Sequence, residues 1–498
     1  MKILMVAPEY PATFWSFKYA LPFVNRKTSL PPLGLLTVSS MLPAHWEKRL
    51  VDISSGPLED KDILWADWVF VGAMLVQRKS AQEVILRAKS LGKKVAAGGP
   101  LFTTGYQDFI GVDTFVLNEG EPSIDEFVAD LTAGNAKPFY TSDIKPDITK
   151  TPIPDWSLLN MKHYASMAMQ VSRGCPFDCE FCDIVVINGR VPRVKTPEQV
   201  VRELDSLYDA GWRGSLFIVD DNFIGNKSKV KEILRSIKQW MKEKKRPFTL
   251  YTEASINLAD DQELMTLMQE ANFNSVFVGI ETPSQEALLS CGKVQNLGKD
   301  LTEKVKILQR NGLQVQAGFI LGFDSDTHKI FDDMIAFVQK TGIVTAMVGM
   351  LNALPETKLY KRLHDAGRLL HKPSDGNNTD FTINFVPKMD TKLLVEGYKK
   401  VLNSIFGPEK YYTRIITFLK EYKATAKETR SSFFSKVNAV VSAVWKLGIL
   451  EKGKRHFWRL MIWTTFKKPE LLPDAIALAI CGFHFRAVLI HDMPGMKA

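Results

Sequence analysis

Cysteine is scarce in this chain of 498 residues, which contains only five. Five cysteines are too few for a disulfide framework in a protein of this size, so we expect a reducing, cytoplasmic environment. The longest stretch without Asp, Glu, Lys or Arg is residues 28–46, and its three prolines do not suit a membrane-crossing helix. The N-terminal apolar run MKILMVAP is too short for a signal peptide core. We therefore predict neither a membrane-crossing helix nor a secretory leader.

Acidic residues are few in one part of the chain. The formal net charge is +9, and residues 391–470 contain 17 Lys or Arg against 6 Asp or Glu. Such a region can face nucleic acid, an anionic membrane surface or an anionic ligand, or it can be an ordinary solvated helical surface. Hydrophobic residues make up 45% of the chain, which is enough for two or three domains with real cores.

Short apolar runs alternate with helical patterns over residues 1–142. Five runs are typical of buried strands: KILMVAP, EKRLVDI, ADWVFVGAML, KKVAAGGP and VDTFVLNEG. Between the third and fourth, QRKSAQEVILRAKSLG has apolar residues at helical spacing and ends at Gly. Strands separated by helices predict a doubly wound parallel sheet, whose ligands bind at the carboxyl ends of the strands.

A second strand–helix series follows a Pro-rich linker at 143–160. Over 161–375, six strand patterns, MAMQVSRG, GSLFIVDDNF, FTLYTEASI, SVFVGIET, LQVQAGFILGF and TAMVGMLNALP, are each followed by a loop or an amphipathic stretch. Six such units predict an incomplete βα barrel, with its chemistry at the strand ends. Residues 376–498 change to helical patterns with interleaved aromatic residues and lysines. The predicted fold class is thus α/β, with a helical C-terminal domain.

Three of the five cysteines lie within eight positions, in VSRGCPFDCEFCD. Cys175, Cys179 and Cys182 have the spacing Cys-x3-Cys-x2-Cys, and thiolates this close can share one metal centre. A structural zinc site needs a fourth ligand, and no His lies near, while Cys291 lies on a later loop. Three thiolates instead suit a four-iron four-sulfur cluster that has one iron open to a substrate.

This motif, on the loop after the first barrel strand, resembles the radical S-adenosylmethionine (SAM) superfamily. The resemblance implies that the three cysteines ligate three irons and that SAM binds the fourth, where it is cleaved to a 5′-deoxyadenosyl radical. It also implies SAM contacts at the ends of the next barrel strands. The candidates are Asp220, Asp221 and Asn222 in VDDN, Glu253 in YTEAS, Glu281 in GIET, and Gly318 and Gly322 in AGFILGF. The VDDN segment departs from the Gly-Gly-Glu-like pattern of the family, and each carboxylate has an alternative role in a cap or an ion pair.

A doubly wound domain ahead of such a barrel resembles the cobalamin-dependent branch of the superfamily. The resemblance predicts cobalamin contacts at the strand ends, from Gly72, Met74, Gln77, Gly98, Gly99, Glu119, Gly120 and Glu121. The Asp-x-His-x-x-Gly motif of many cobalamin domains is missing, and the first histidine is His45. Either the lower face of cobalt is open, or another side chain approaches it.

Nearly the whole chain resembles cobalamin-dependent radical SAM methyltransferases, a group that includes hopanoid C-2 methylases and bacteriochlorophyllide C-8 and C-12 side-chain methyltransferases. The resemblance implies methylation of an unactivated carbon of a large lipophilic small molecule, with a flavodoxin- or ferredoxin-type electron donor and no nucleic-acid partner. We favour a bacteriochlorophyllide, since the basic stretch EKGKRHFWRL can meet a carboxylate; it can also meet membrane headgroups in a peripheral association. Aromatic candidates for the substrate pocket, which helix packing would equally explain, are Phe433, Phe434, Trp445, Trp458, Trp463 and Phe483.

Three alternatives belong to other functional classes. A methylthiotransferase would need further cysteines in the N-terminal domain, and none precedes Cys175. A cobalamin-containing cyclase or rearrangement enzyme would have the same domains without methyl transfer, and would form no S-adenosylhomocysteine. A non-catalytic cobalamin sensor would not need an open iron.

Overall fold

The computed structural model describes residues 1–370, 376–377, 381–425 and 433–493, apart from the side chains of 433–436. It contains two six-stranded sheets, each entirely parallel, and a helical C-terminal region. The predicted α/β class, with a doubly wound domain followed by an incomplete barrel, is confirmed.

The first sheet forms the doubly wound N-terminal domain. Its strands are β1 (Lys2–Ala7), β2 (Glu47–Asp52), β3 (Trp68–Gly72), β4 (Lys94–Gly98), β5 (Thr114–Val116) and β6 (Phe139–Tyr140). Five of them are the predicted strands, and β6 is an additional short edge strand. The order β2-β1-β3-β4-β5-β6 reverses direction between β1 and β3, and parallel sheets bind ligands in the crevice at such a switch point.

Helices cover both faces of this sheet and enclose two separate apolar cores. The helices are α1 (Leu33–Met41), α2 (Asp60–Trp65), α3 (Arg78–Ser90), α4 (Pro100–Gly105) and α5 (Ile124–Thr132). The helix α3 is the one predicted from periodicity, and it buries Ala81, Val84, Ile85 and Ala88 on one face. Residues 143–160, predicted as a linker, pack against the protein through the 3-10 turns Ile148–Lys150 and Trp156–Leu158.

The second sheet is the half-barrel. Its strands are β7 (Ser166–Met169), β10 (Gly214–Ile218), β11 (Phe248–Glu253), β12 (Phe273–Glu281), β13 (Gln314–Leu321) and β14 (Ala346–Met350), and they run side by side in that order. Between β7 and β10, the two-residue strands β8 (Ser172–Arg173) and β9 (Arg193–Val194) pair antiparallel. All six predicted barrel strands are confirmed. Because β7 and β14 are not paired, the barrel is open along one side.

The remaining helices surround the half-barrel and form the C-terminal region. They are α6 (Ile184–Ile187), α7 (Pro197–Asp209), α8 (Lys227–Glu243), α9 (Gln262–Glu270), α10 (Gln285–Ser290), α11 (Leu301–Arg310), α12 (Ile330–Thr341), α13 (Lys358–Asp365), α14 (Thr391–Phe406), α15 (Pro408–Glu421), α16 (Phe433–Ala443), the π-helix Val444–Leu450, α17 (Lys454–Lys467) and α18 (Leu472–His491). Side-chain caps set several starts; for example, the Thr196 hydroxyl accepts from the Gln199 N–H at the start of α7. The C-terminal helices share one continuous core with the half-barrel.

One described helix, Pro469–His491, is long and apolar enough to cross a membrane by length and composition alone. Within its most apolar part, 61% of the residues are buried inside the protein. It includes α18, which packs against α15 and α17 as a core helix of the C-terminal region.

Candidate active site at the mouth of the half-barrel

The three clustered cysteines lie on a loop that is closed at its base by the β8–β9 pair. Gly174 begins this loop with φ +97°, and a side chain there would lie 2.9 Å from the Gly189 carbonyl oxygen. The Cys175 N–H donates to that same carbonyl over 3.2 Å. The loop therefore needs glycine at position 174, because both the backbone angle and the space exclude a Cβ atom.

The thiols are free, and two of them have amide donors beside them. Asn222 Nδ2 lies 3.8 Å from the Cys175 sulfur, and Gln295 Nε2 lies 3.9 Å from the Cys179 sulfur. Burial raises the pKa of both Cys179 and Cys182. Amide donors that point at these two sulfurs would stabilise negative charge there, as thiolate ligands of a metal centre require.

Asp220 and Asp221, which follow β10, hold the cysteine loop in place. The Asp220 carboxylate is almost fully buried and accepts from the Val171 N–H and the Ser172 hydroxyl, both at 2.7 Å. Asp221 accepts from the Gly174 N–H at 2.9 Å and from the Asn188 side chain at 2.9 Å. Burial raises the pKa of Asp220 to about 7. Both carboxylates thus bond to the protein itself.

Asn222 connects three segments of the site. Its Nδ2 approaches Cys175, while its Oδ1 accepts from the Ser255 N–H at 3.2 Å. Ser255 follows β11, which ends at Glu253. No described residue donates a hydrogen bond to the half-buried Glu253 carboxylate, and burial, with Asp221 and Asp220 nearby, raises its pKa to about 8. Glu253 is therefore the predicted carboxylate that remains available to a ligand.

Glu281 is paired with Lys293 beside the cysteines. Glu281 ends β12 at a register shift, with φ +65°, and Lys293 Nζ lies 2.6 Å from its Oε1. Burial alone would lower the pKa of Lys293, but Glu281 and the Cys179 and Cys182 thiols outweigh it and raise that pKa. Gly279 makes room for the pair, since a side chain there would collide with both groups. The ammonium of Lys293 thus supplies positive charge next to the sulfurs.

The two predicted glycines of β13 lie in close packing within the fold. A side chain at Gly318 would lie 2.9 Å from the Phe277 ring, and one at Gly322 would lie 3.2 Å from Leu394 of α14. Gly322 also has φ +106°, and its N–H donates to Asp326 at 2.9 Å. Their contact with an adenine ring stays a prediction.

Half-buried aromatic side chains line the concave face of the half-barrel. Phe217 and Tyr251 stack with ring centroids 4.7 Å apart. From the N-terminal domain, Trp15 reaches this face: its ring is 5.3 Å from that of Phe277, edge to face, and its indole N–H donates to the Met347 sulfur at 2.7 Å. The loop after β1 thereby covers an apolar cavity at the open side of the barrel.

His484 of α18 anchors the loop that carries Trp15. Its Nε2 lies 3.1 Å from the carbonyl oxygens of Thr13 and Phe14, and its Nδ1 accepts from the Tyr19 N–H at 3.3 Å. These partners assign the neutral tautomer with the proton on Nε2. Burial lowers the pKa of His484 to about 4, so the imidazole stays neutral at neutral pH.

Glu119 and Glu121 follow β5 and reach the cysteine loop through arginines. Arg173, two residues before Cys175, donates to Glu119 over 2.7 Å and lies 2.7 Å from Glu121. Arg193 of β9 donates to both oxygens of Glu119, at 2.9 and 2.8 Å. Burial alone would raise the pKa of Glu121, but its bond with Arg173 lowers it below the usual value. Both predicted cobalamin residues therefore take part in a bridge between the two domains.

The other predicted cobalamin residues lie at or after the carboxyl ends of the strands of the N-terminal sheet. Three glycines are packed within the fold: Gly72 against Leu35, Gly98 against the Val116 carbonyl, and Gly99, at φ +98°, against the Ala73 carbonyl. Gln77 is engaged as well, since its side chain accepts from the Met74 N–H and donates to the Pro8 carbonyl. Gly120 has open space before it, and the Met74 side chain is 54% exposed.

Comparison with known proteins finds the radical SAM superfamily model over residues 169–338 and a domain of unknown function, DUF4070, over 357–491. An uncharacterized methyltransferase of Synechocystis sp. is 40% identical over 97% of this chain and 91% of its own length. The hopanoid C-2 methylase of Rhodopseudomonas palustris is 33% identical over 93% of this chain and 89% of its own length. The chain belongs to the cobalamin-dependent radical SAM methyltransferase family.

More distant relatives agree with this family. The bacteriochlorophyllide d C-12(1)-methyltransferase of Chlorobaculum tepidum is 24% identical over 75% of this chain and 82% of its own length. Among solved structures, the cobalamin-dependent SAM radical enzyme OxsB has a TM-score of 0.63, with 13% identity, over 99% of this chain and 80% of its own. The methyltransferase TsrM of Kitasatospora setae has a TM-score of 0.57, with 13% identity, over 98% and 99%. These structures show a shared fold.

The family implies a four-iron four-sulfur cluster and SAM, and the cysteine loop fits both. The described residues contain no group of three His, Cys, Asp or Glu side chains arranged around a single ion. A cluster needs a different arrangement, because its ligands stand around several iron atoms. Three free thiols with two amide donors and a lysine beside them suit this role, and a contact of Glu253 with SAM stays a prediction.

The cobalamin domain of this methyltransferase also has room for its cofactor. The open backbone at Gly120 and the exposed Met74 lie where a flat ring or its nucleotide tail could approach the strand ends. The packed glycines offer no independent support, since the fold itself requires them. Contacts with cobalamin therefore stay predictions.

The predicted aromatic residues of the C-terminal region divide into three groups. The side chains of Phe433 and Phe434 lie outside the described part of the chain. Trp463 and Phe483 pack partly buried against the core, whereas Trp445 and Trp458 are 57% and 42% exposed. The aromatic residues that line the cavity are instead Tyr10, Phe14 and Trp15 of the loop after β1, which periodicity alone did not single out.

Proposed function

We propose that this protein transfers methyl groups from SAM, through cobalamin bound at the switch point of the N-terminal sheet, to an unactivated carbon of a large lipophilic molecule. The observation that carries this proposal is the position of Trp15. A loop of the cobalamin-type domain reaches the apolar concave face of the same half-barrel whose first strand leads into the cysteine loop. When bound, the cluster with SAM supplies a hydrogen-abstracting radical, and cobalamin supplies the methyl group.

The residues of this chain position the reactants and exclude water. Asp220 and Asp221 hold the cysteine loop against β10, and Asn222 and Gln295 direct amide N–H groups at two sulfurs. Glu253 would accept hydrogen bonds from SAM. Phe217, Tyr251, Phe277 and Trp15 would enclose the substrate carbon in apolar surroundings, which protects a reactive radical from side reactions.

Two features support a neutral polycyclic substrate of the hopanoid type over a bacteriochlorophyllide, which the basic C-terminal stretch favoured. First, similarity to the hopanoid C-2 methylase is higher and covers more of the chain than similarity to the bacteriochlorophyllide enzyme. Second, the cations around the cysteine loop are already paired with carboxylates of the protein, whereas the carboxylate of a pigment would need a cation that is not paired. These cations are Arg173, Arg193, Lys293, Arg362 and Arg368.

The test is an anaerobic reconstitution with iron, sulfide and cobalamin, followed by SAM and a strong chemical reductant in place of a flavodoxin- or ferredoxin-type donor. Each reaction contains either diploptene, a neutral hopanoid, or a bacteriochlorophyllide. We expect S-adenosylhomocysteine and 5′-deoxyadenosine to rise together with diploptene, and the product to be one methylene heavier. Deoxyadenosine without S-adenosylhomocysteine would instead show a cyclase or rearrangement enzyme. Methylation of the pigment alone would reverse the choice of substrate.

Two variants act as controls in that assay. Cys179→Ala should abolish both nucleoside products, because it removes a cluster ligand. Trp15→Ala should leave the iron content unchanged but reduce methylated product strongly, since it opens the lumen to water. If Trp15→Ala methylates as well as the unaltered enzyme, the lumen is not the substrate site.

A further inference from the structure

Exposed large apolar side chains are concentrated in one part of the C-terminal region. Among the described residues, 23 large hydrophobic side chains are exposed, and nine of these fall between positions 437 and 466. They are Val437, Val440, Val441, Trp445, Ile449, Leu450, Trp458, Ile462 and Phe466, the last of them 80% exposed. We name these nine side chains the apolar patch. Single exposed apolar residues need no explanation, but a cluster of this size marks an interaction surface.

The patch lies on two helical segments that pack together. Val437–Leu450, which spans most of α16 and the π-helix, is a short apolar helix, and its length is below that needed to cross a bilayer. On α17, Trp458, Ile462 and Phe466 follow one another at four-residue intervals on the outer face. Trp458 connects α17 with the π-helix, since its indole N–H donates to the Gly448 carbonyl at 2.9 Å.

Basic residues surround the apolar patch. Residues 437–468 contain seven Lys or Arg, which are Lys446, Lys452, Lys454, Arg455, Arg459, Lys467 and Lys468. The single acidic residue, Glu451, is half-buried, and its carboxylate is paired with Arg486 at 2.7 Å. The surface is therefore both apolar and strongly cationic, a combination typical of helices that lie in the interface of an anionic bilayer.

We infer that the apolar patch and its basic border dock this protein on the surface of an anionic lipid bilayer. A second copy of the chain would bring seven further positive charges against the first seven, so self-association on this face is opposed by like-charge repulsion. Tryptophan beside lysine and arginine matches the headgroup level of a bilayer, where the indole ring is half apolar and half wet. The helices lie flat on this surface and do not cross it.

The docking surface is connected to the loop that covers the active site. Asn438 of α16 donates to the Phe23 carbonyl at 3.4 Å, and the Lys446 ammonium lies 4.7 Å from the centre of the Phe23 ring. Phe23 belongs to the same N-terminal loop region as Trp15, which closes the barrel lumen. A substrate dissolved in the bilayer would therefore leave the lipid next to this loop.

Vesicle flotation tests the docking surface without the methyl-transfer reaction, so this inference and the proposed function can fail separately. The full chain is mixed with vesicles of phosphatidylcholine alone and with vesicles that also contain phosphatidylglycerol. We expect flotation with the anionic vesicles, weakened by added salt because basic residues contribute. The double variant Ile462→Ser, Phe466→Ser should weaken binding by about tenfold or more, since it removes exposed apolar area. Lys454→Glu with Arg455→Glu should weaken it to a similar degree.

The matched control is Leu64→Ser with Ile110→Ser, two exposed apolar side chains on the N-terminal domain. It should bind anionic vesicles as the unaltered protein does. Equal binding by the patch variants and this control would overturn the inference. So would an absence of vesicle binding, or a dimer in light scattering that the patch variants dissociate, because the surface would then contact protein.

Discussion

Arg173 donates to Glu119 over 2.7 Å, and this bond connects the strand-end loop of the N-terminal sheet with the first residues of the cysteine loop. Cys175 lies only two residues further along the chain. The position of the cysteine loop relative to the N-terminal domain is thus set by the buried Glu119 carboxylate, which pairs with both Arg173 and Arg193. Movement of one domain would be transmitted to the cysteine loop through these charges.

Replacing Glu119 should weaken the contact between the domains. In Glu119→Gln, the half-buried guanidinium of Arg193 loses its carboxylate partner, and the free energy of unfolding should fall by about 3 kcal/mol. Urea unfolding of the reconstituted protein measures this, together with its iron content, which should also fall. Glu270→Gln is the matched control, because Glu270 pairs with Lys238 at the surface and should contribute little. Equal unfolding midpoints for both variants would contradict the structural role of Glu119.

A methyl group at Gly279 should separate Glu281 from Lys293. The added Cβ would collide with both side chains, so Gly279→Ala should displace the Lys293 ammonium from the sulfurs. We expect reduced SAM-dependent deoxyadenosine formation and an altered cluster spectrum in electron paramagnetic resonance. Gly34→Ala provides the control, since Gly34 lies in α1 with no atom near its Cβ position. An unchanged spectrum in Gly279→Ala would show that the pair does not act on the cluster.

The raised pKa of Glu253 should appear in the pH dependence of stability. With a pKa of about 8 in the folded protein, Glu253 holds more protons there than in the unfolded chain. The free energy of unfolding should therefore fall as pH rises from about 5 to 8, by up to about 1.4 kcal/mol per pH unit. Glu253→Gln has no titratable group at this position. The free energy of unfolding of this variant, compared with that of the unaltered protein, should therefore increase over that range. Urea unfolding without SAM measures both free energies. If their difference does not change with pH, the Glu253 carboxylate is in contact with water and its pKa is not raised.

His484 should produce the opposite dependence at lower pH. Because burial lowers its pKa to about 4, the unfolded state binds the extra proton first, and stability should be lost as pH falls from about 6.5 towards 4. His484→Gln should remove this acid sensitivity and lower stability at neutral pH by about 1–3 kcal/mol, because the Tyr19 N–H loses its acceptor. Thermal unfolding across that pH range measures both effects. His45→Gln, at an exposed position, should retain the acid sensitivity; loss of it there would assign the effect to another group.

The sequence alone predicted eleven strands of the two large sheets and the location of the cysteine loop, because apolar runs and cysteine spacing are local signals. It did not predict β6, whose two residues are too few to form a pattern. The site was predicted in outline: the residues after β10, β11 and β12 do meet at one end of the barrel. Their individual roles were not predictable, because Asp220 and Asp221 find their partners in a loop almost 50 positions earlier.

The sequence by itself determined the family, the order of the domains and the presence of a cluster-binding loop, since these depend on residue types at short spacing. Only the tertiary structure decided which charged groups are paired and which are free. Glu119 meets Arg193 across 74 positions, and His484 meets Thr13 across 471. Such contacts arise from the packing of distant helices and strands, where burial makes each unpaired charge costly, and periodicity along the chain contains no record of them.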